Sequence, residues 1–127
     1  MNTKDKRVLL IEDEADIRDA MAETLEDAGY TVLTAGNGKE GLAIALAEHP
    51  DLILLDLMMP VMDGKTMLQK LRADAWGRSA KVMVLSTMDD VTNIATSHEH
   101  SIEDYIIKSH ASLDEVVRKV RLAMHTD

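Results

Sequence analysis

Three short apolar runs punctuate the chain, and each ends on a polar residue. Val8-Leu9-Leu10-Ile11 stops at Glu12-Asp13, Leu52-Ile53-Leu54-Leu55 stops at Asp56, and Val82-Met83-Val84-Leu85 stops at Ser86. Aliphatic runs of this length predict strands buried on both faces. Thr31 to Ala35 and Tyr105 to Ile107 predict two more strands, flanked by turn signals. Between the strands the period lengthens. Ile17, Met21, Leu25 and Ala28 step by four and three, and Gly29 follows as a C-terminal stop. Leu42, Ala45 and Leu46 form a stripe after Asn37-Gly38 that ends before Pro50, and Met67, Leu68 and Leu71 form another after Asp63-Gly64. Ser112 and Glu115 have capping-box spacing, ahead of Leu113, Val116, Val117, Val120 and Met124 on one face of a last helix. Residues 90–100 hold poor helix formers such as Thr92, Asn93 and Thr96, which predicts a short or mobile helix. Strand then helix, five times over, predicts an α/β fold: a doubly wound parallel sheet with helices on both faces. One domain is expected over residues 1–127, with a core of about 7–125 and disordered tails.

Composition narrows the chemistry. The 127 residues are 46% hydrophobic but include no Phe, one Trp (Trp76) and two Tyr, so the core is aliphatic and partly built from nine Met. Trp76, in the loop before the fourth strand, is expected to half-cover that core. A net charge of −9 argues against direct nucleic-acid binding, which needs a basic face. The chain has no Cys, which removes disulfides, thiolate metal sites and a Cys nucleophile. No apolar run resembles a signal peptide or is long enough to span a bilayer, so no membrane role and a cytoplasmic setting are expected. His98 and His100 read as solvated surface histidines. Arg118, Lys119 and Arg121 give the last helix a basic outer face, which complements its C-terminal dipole or docks an acidic partner.

In open parallel α/β sheets, ligands bind beyond the carboxyl ends of the strands. The residues found there are Glu12 and Asp13, Asp56, Ser86 and Thr87, and Lys108. Taken singly each has an ordinary reading: an acidic pair caps a helix, an Asp sits in a turn, a Ser closes a strand, a Lys is solvated. Together they make a specific set. Close carboxylates repel one another, and a hard divalent cation such as Mg²⁺ resolves that repulsion. The cation attracts a phosphoryl group, to which a hydroxyl and an ammonium add a donor and a point charge. Asp56 is the carboxylate left to attack phosphorus and form an acyl phosphate.

The stretches 8–14 (VLLIEDE), 51–64 (DLILLDLMMPVMDG), 82–86 (VMVLS) and 104–108 (DYIIK) carry a family likeness. Over nearly its whole length the chain resembles the receiver domain of bacterial two-component response regulators. The resemblance implies a flavodoxin-like, doubly wound (βα)5 fold with a five-stranded parallel sheet in the order 2-1-3-4-5. It implies a switch that accepts a phosphoryl group from a sensor histidine kinase, a phosphotransfer protein or a small donor such as acetyl phosphate, and then engages a downstream protein. The resemblance implies a signalling module rather than a turnover enzyme. By position, Asp56 resembles the phosphoacceptor and a metal ligand. Asp13 resembles the direct Mg²⁺ ligand, Glu12 a group acting through water, and Met58 the residue whose backbone carbonyl completes the protein ligands. Ser86, Lys108 and the backbone of Thr87 match the phosphoryl-binding positions. Ser86 and Tyr105 match the switch pair, which biases a surface at the fourth helix, fifth strand and fifth helix.

The likeness has departures. Ser109 stands where the family usually has Pro, which bears on the placement of Lys108. Thr87 is larger than the usual Ala or Gly and is expected to obstruct the inward path of Tyr105, muting the switch. Met58 and Met88 cannot orient an attacking water, so slow loss of the phosphoryl group is expected. Three other readings fit less well. A binding-only pseudo-receiver would normally lose an acidic residue or the lysine. A haloacid-dehalogenase-type phosphohydrolase wants an Asp at position 58. A flavodoxin wants a hydroxyl- and glycine-rich loop where Glu12-Asp13-Glu14 stands. With no output domain after the fifth predicted helix, the chain reads as a single-domain regulator or as a piece of something longer.

Overall fold

Successive strand residues alternate between two apolar clusters, one on each face of a central sheet. The computed structural model describes residues 6–56, 62, 64–86, 104–107 and 112–124, with backbone alone for Ser86, Asp104, Tyr105 and Ile107. Its strands are β1 (Arg7–Ile11), β2 (Thr31–Ala35), β3 (Leu52–Asp56), β4 (Val82–Ser86) and β5 (Asp104–Ile107). Its helices are α1 (Ala15–Asp27), α2 (Gly38–Glu48), α3 (Gly64–Ala73) and α4 (Leu113–Met124, the last of those predicted), with a 3-10 turn at Gly77–Ser79. The strands pair in the order β2-β1-β3-β4-β5, and every pairing is parallel. The predicted helix at 90–100, His98, His100 and the tails at 1–5 and 125–127 lie outside the described residues.

Val8, Leu10, Leu52, Leu54, Met83 and Leu85 pack with Met21 and Leu25 of α1 and Val116 and Val120 of α4. Leu9, Ile11, Ile53, Leu55 and Val82 pack on the other side with Ala45 of α2 and Met67, Leu68 and Leu71 of α3. β1 and β3 are thus buried on both faces, as their unbroken apolar runs predict. Each fully buried Leu or Ile contributes about 1.5–3 kcal/mol.

The helix ends follow from local chemistry. Gly29, at φ 105, takes the left-handed position just past the α1 C-cap Ala28. The Asn37 side chain accepts from the Glu40 amide at 2.8 Å and starts α2, a cap that contributes about 1 kcal/mol. Ser112 Oγ accepts from the Glu115 amide at 3.1 Å. The Glu115 carboxylate accepts from Arg118 Nε at 2.9 Å, so the cap forms while Glu115 turns to its helical neighbour. Trp76 is half-buried on the second cluster, as expected, and stacks on His49 with centroids 4.3 Å apart.

Two apolar stripes differ from the sequence reading. The inward face of α2 is Gly38, Gly41 and Ala45, while Leu46 is 36% exposed. The helix lies too close to β1 for a large side chain: a methyl on Gly41 would stand 2.7 Å from Ile11 Cγ1. In α4 the buried set is Val116, Val120, Ala123 and Met124, and Leu113 is 42% exposed. Leu113 shares the face of Val116 and Val120 but opens the helix, where its side chain is left partly exposed.

Candidate functional site

The strand register brings the acidic residues level. Ile11 of β1 pairs with Leu55 of β3, so the next residues, Glu12 and Asp56, come side by side. Glu12 continues the ladder on the other side by donating its amide to Ala35 O at 3.1 Å. One carboxylate oxygen from each of Glu12, Asp13 and Asp56 lies within 4.8 Å of the others. Glu12 is fully buried and Asp56 is 3% exposed. At this spacing each pair of full charges repels by about 3 kcal/mol or more at an effective dielectric near 20.

Local bonds hold the first strand's end. Glu12 Oε2 accepts from the Glu14 amide at 3.2 Å, and Arg18 Nη1 donates to Glu12 O at 2.9 Å. The N-cap of α1 is Glu14, without a side-chain cap, so the acidic pair does not cap that helix. The donor set is oxygen-only and rich in negative charge, which fits a hard divalent cation such as Mg²⁺ and not a thiophilic one.

Beyond the acids, β4 and β5 run to the same edge. Ser86 pairs with Ile107, the residue before Lys108. The structure therefore brings Glu12, Asp13 and Asp56 together and places the backbones of Ser86 and Tyr105 in adjoining strands. Met58, Thr87, Met88, Lys108 and Ser109, with the side chains of Ser86 and Tyr105, lie outside the described residues. Sequence reading missed Arg18, which bonds the backbone of Glu12, and the close approach at Gly38. Arg18 is hidden because only the apolar positions of α1 were informative. Gly38 was read only as part of a turn signal, yet a methyl there would stand 3.0 Å from the carbonyl carbon of Met62.

The model of the response regulator receiver domain matches residues 8–121. The chain belongs to this family. Its fold is the flavodoxin-like fold of chemotaxis response regulators, and its family role is that of a signalling switch in two-component systems, where receivers pair with histidine kinases. The probable transcriptional regulator ycf27 of Porphyridium aerugineum is 38% identical over 117 residues, covering 91% of this chain and 48% of its own length. The DNA-binding dual master transcriptional regulator RpaA of Synechocystis is 36% identical over 122 residues, covering 95% of this chain and 50% of its own. The chain thus spans about half the length of the curated relatives it matches. Among solved structures, chemotaxis protein CheY4 of Vibrio cholerae superposes with a TM-score of 0.85 at 26% identity, over 93% of this chain and 98% of that one. The receiver domain of Francisella response regulator 1452 gives 0.84 at 28% identity, over 94% and 96%. Among the described residues no receiver helix is long and apolar enough to cross a membrane.

Proposed function

We propose that this receiver accepts a phosphoryl group on Asp56 in a Mg²⁺-dependent step. The observation that carries the reading is the cluster of Glu12, Asp13 and Asp56, within 4.8 Å of one another at the carboxyl edge of a receiver-family sheet. Asp13 and Asp56 are the direct ligands in this reading, with the Met58 carbonyl, and Glu12 acts through water. The cation, when bound, neutralises the carboxylates and aligns the phosphoryl oxygens. An Asp56 oxygen forms a bond to phosphorus as the donor's P–N bond breaks. The electron pair of that bond stays on the imidazole nitrogen, and the donor leaves as neutral imidazole with its proton on the other ring nitrogen. Ser86, Lys108 and the Thr87 amide hold the transferred group. Ser86 and Tyr105 then bias the surface that a downstream protein reads.

The donor in this reading is a sensor histidine kinase or a phosphotransfer protein, and the complete fold is (βα)5 as a single domain over 1–127, in the cytoplasm. The receiver stretch itself makes no direct nucleic-acid contact. Relatives twice its length are named as transcriptional regulators, so a DNA-binding output would belong to chain outside this stretch. Met58 and Met88 slow the loss of phosphate, and Thr87 mutes the turn of Tyr105.

Acetyl phosphate with Mg²⁺, read by intact mass, tests the reading. One added phosphoryl group that requires both Asp56 and the metal is expected. Uptake by Asp56→Asn, or uptake in EDTA, would sink it. Met58→Asn and Met88→Lys are expected to shorten the phosphoryl lifetime.

A further inference from the structure

We infer that the groove between α1 and α4 is a self-association surface that takes a second copy of this chain, independently of any phosphoryl chemistry. The groove holds about 670 Å³. One wall is the end of α1, with Asp27 and the cap residue Ala28. The other is α4, where Asp114, Val117, Arg118, Arg121 and Leu122 stand at i, i+3, i+4, i+7 and i+8 and so share one face. Ala28 and Val117 are half-buried against the first apolar cluster, which gives the groove an apolar floor. Leu122, beside them, is 54% exposed, the most exposed large hydrophobic residue among the described residues.

The charges along the groove select the occupant. Asp27 and Arg121 are both exposed, and among the described residues neither forms an ion pair. The inward neighbour of Arg121 is the neutral Tyr30 phenol. An acidic occupant would meet Asp27 and Asp114, and a basic one would meet Arg118 and Arg121, so a partner of one sign is repelled somewhere along the groove. The partner must carry both signs beside an apolar group. A second copy related by a two-fold axis supplies this by construction, because an isologous contact pairs residue i with j and j with i. Asp27 of one copy then faces Arg121 of the other, twice, and each Leu122 covers the Ala28 and Val117 floor of its partner. The net charge of −9 on each copy opposes the contact. Physiological salt cuts the reach of that repulsion to about 8 Å, so the charges in direct contact weigh most.

Analytical ultracentrifugation of the full chain from about 10 μM to about 1 mM tests this. The parent is expected to pass from monomer to dimer within that range. Arg121→Asp and Asp27→Arg each set like charges against one another at both contacts. Each is expected to weaken self-association about tenfold or more. Both positions are exposed and unpaired, so circular dichroism is expected to show parent-like folding in both variants. Leu122→Ser is expected to weaken the dimer as well, through its apolar contact. The equimolar mixture of Arg121→Asp with Asp27→Arg is the decisive sample. Across a mixed pair both contacts again join opposite charges, so the mixture is expected to dimerise as the parent does, although neither variant does so alone. A general loss of fold or solubility would not produce that rescue. A parent that stays monomeric throughout overturns the inference and leaves the groove to a partner of another sequence. Parent-like association of any single variant, or a mixture no tighter than its components, overturns it too.

Discussion

Gly41 of α2 and Ile11 of β1 touch so closely that the helix backbone itself forms part of the core wall. Gly41→Ala forces the buried Ile11 side chain out of place, at about 1–3 kcal/mol. The better helix propensity of Ala returns up to about 1 kcal/mol. A net loss of stability is expected in urea unfolding. Ile11→Val removes the Cδ1 methyl that would be struck, so the double variant is expected to be more stable than the sum of the single losses. Strict additivity would mean that the two residues are not in contact.

Glu12 and Asp56 bring two carboxylates into a nearly dry edge of the sheet beside Asp13. In EDTA, Asp56→Asn is expected to melt higher than the parent, because one repelling charge is gone. Added Mg²⁺ is expected to raise the parent's stability, by about 2.7 kcal/mol at a hundredfold excess over its dissociation constant. The variant should gain much less. Melts of both proteins with and without the metal decide this, and equal gains would place the cation elsewhere.

Burial pushes the Tyr30 phenol above its ordinary value of 10.0, while the Arg121 guanidinium beside it pulls part of the way back. The folded state thus holds the phenolic proton more tightly than the unfolded chain does. That contribution is complete below pH 10.0 and is lost as the pH rises through the raised folded value. Urea unfolding from about pH 8 to pH 11 is expected to show a steeper alkaline decline for the parent than for Tyr30→Phe. Parallel curves would remove Tyr30 as the cause.

His49 ends α2 in the left-handed region, at φ 50 and ψ 60, with its ring stacked on Trp76 at an interplanar angle of 7°. Both His49→Ala and His49→Gly lose the stack, worth about 0.5–1.5 kcal/mol. Only Ala keeps the left-handed penalty of about 1–2 kcal/mol. The glycine variant is therefore expected to be the more stable of the two by about 1 kcal/mol. Trp76 is the sole tryptophan, so its fluorescence should shift in both. Equal stabilities would mean that the backbone relaxes out of this conformation.

Much of this architecture could be read along the chain. Val8 to Ile11 and Leu52 to Leu55 announce themselves because strands covered on both faces admit no polar interruption. Glu12, Asp13 and Asp56 stand out because the apolar runs stop on them. Gly29 and Asn37 mark helix ends because their conformational and hydrogen-bonding preferences act within a few residues. Leu46 misled, since a period of three and four says which positions share a face but not which face is covered, and Leu113 misled because it is the first residue of a helix whose burial begins one turn later. Glu115 misled in part, because a carboxylate with Arg118 one turn away has a second partner to choose.

Other features depend on segments far apart in the chain. Glu12 and Asp56 meet because β3 pairs beside β1, across more than 40 intervening residues, and the register of that pairing sets their carboxylates within reach. Gly38 is confined by Met62, and Gly41 by Ile11, through contacts between separate elements. Periodicity and propensity are properties of a few neighbouring residues, whereas close approach is set by how whole layers pack. The acidic strand ends are therefore written locally, while their convergence into one site, and the need for glycine where α2 meets its neighbours, arise from the packing of sheet and helices.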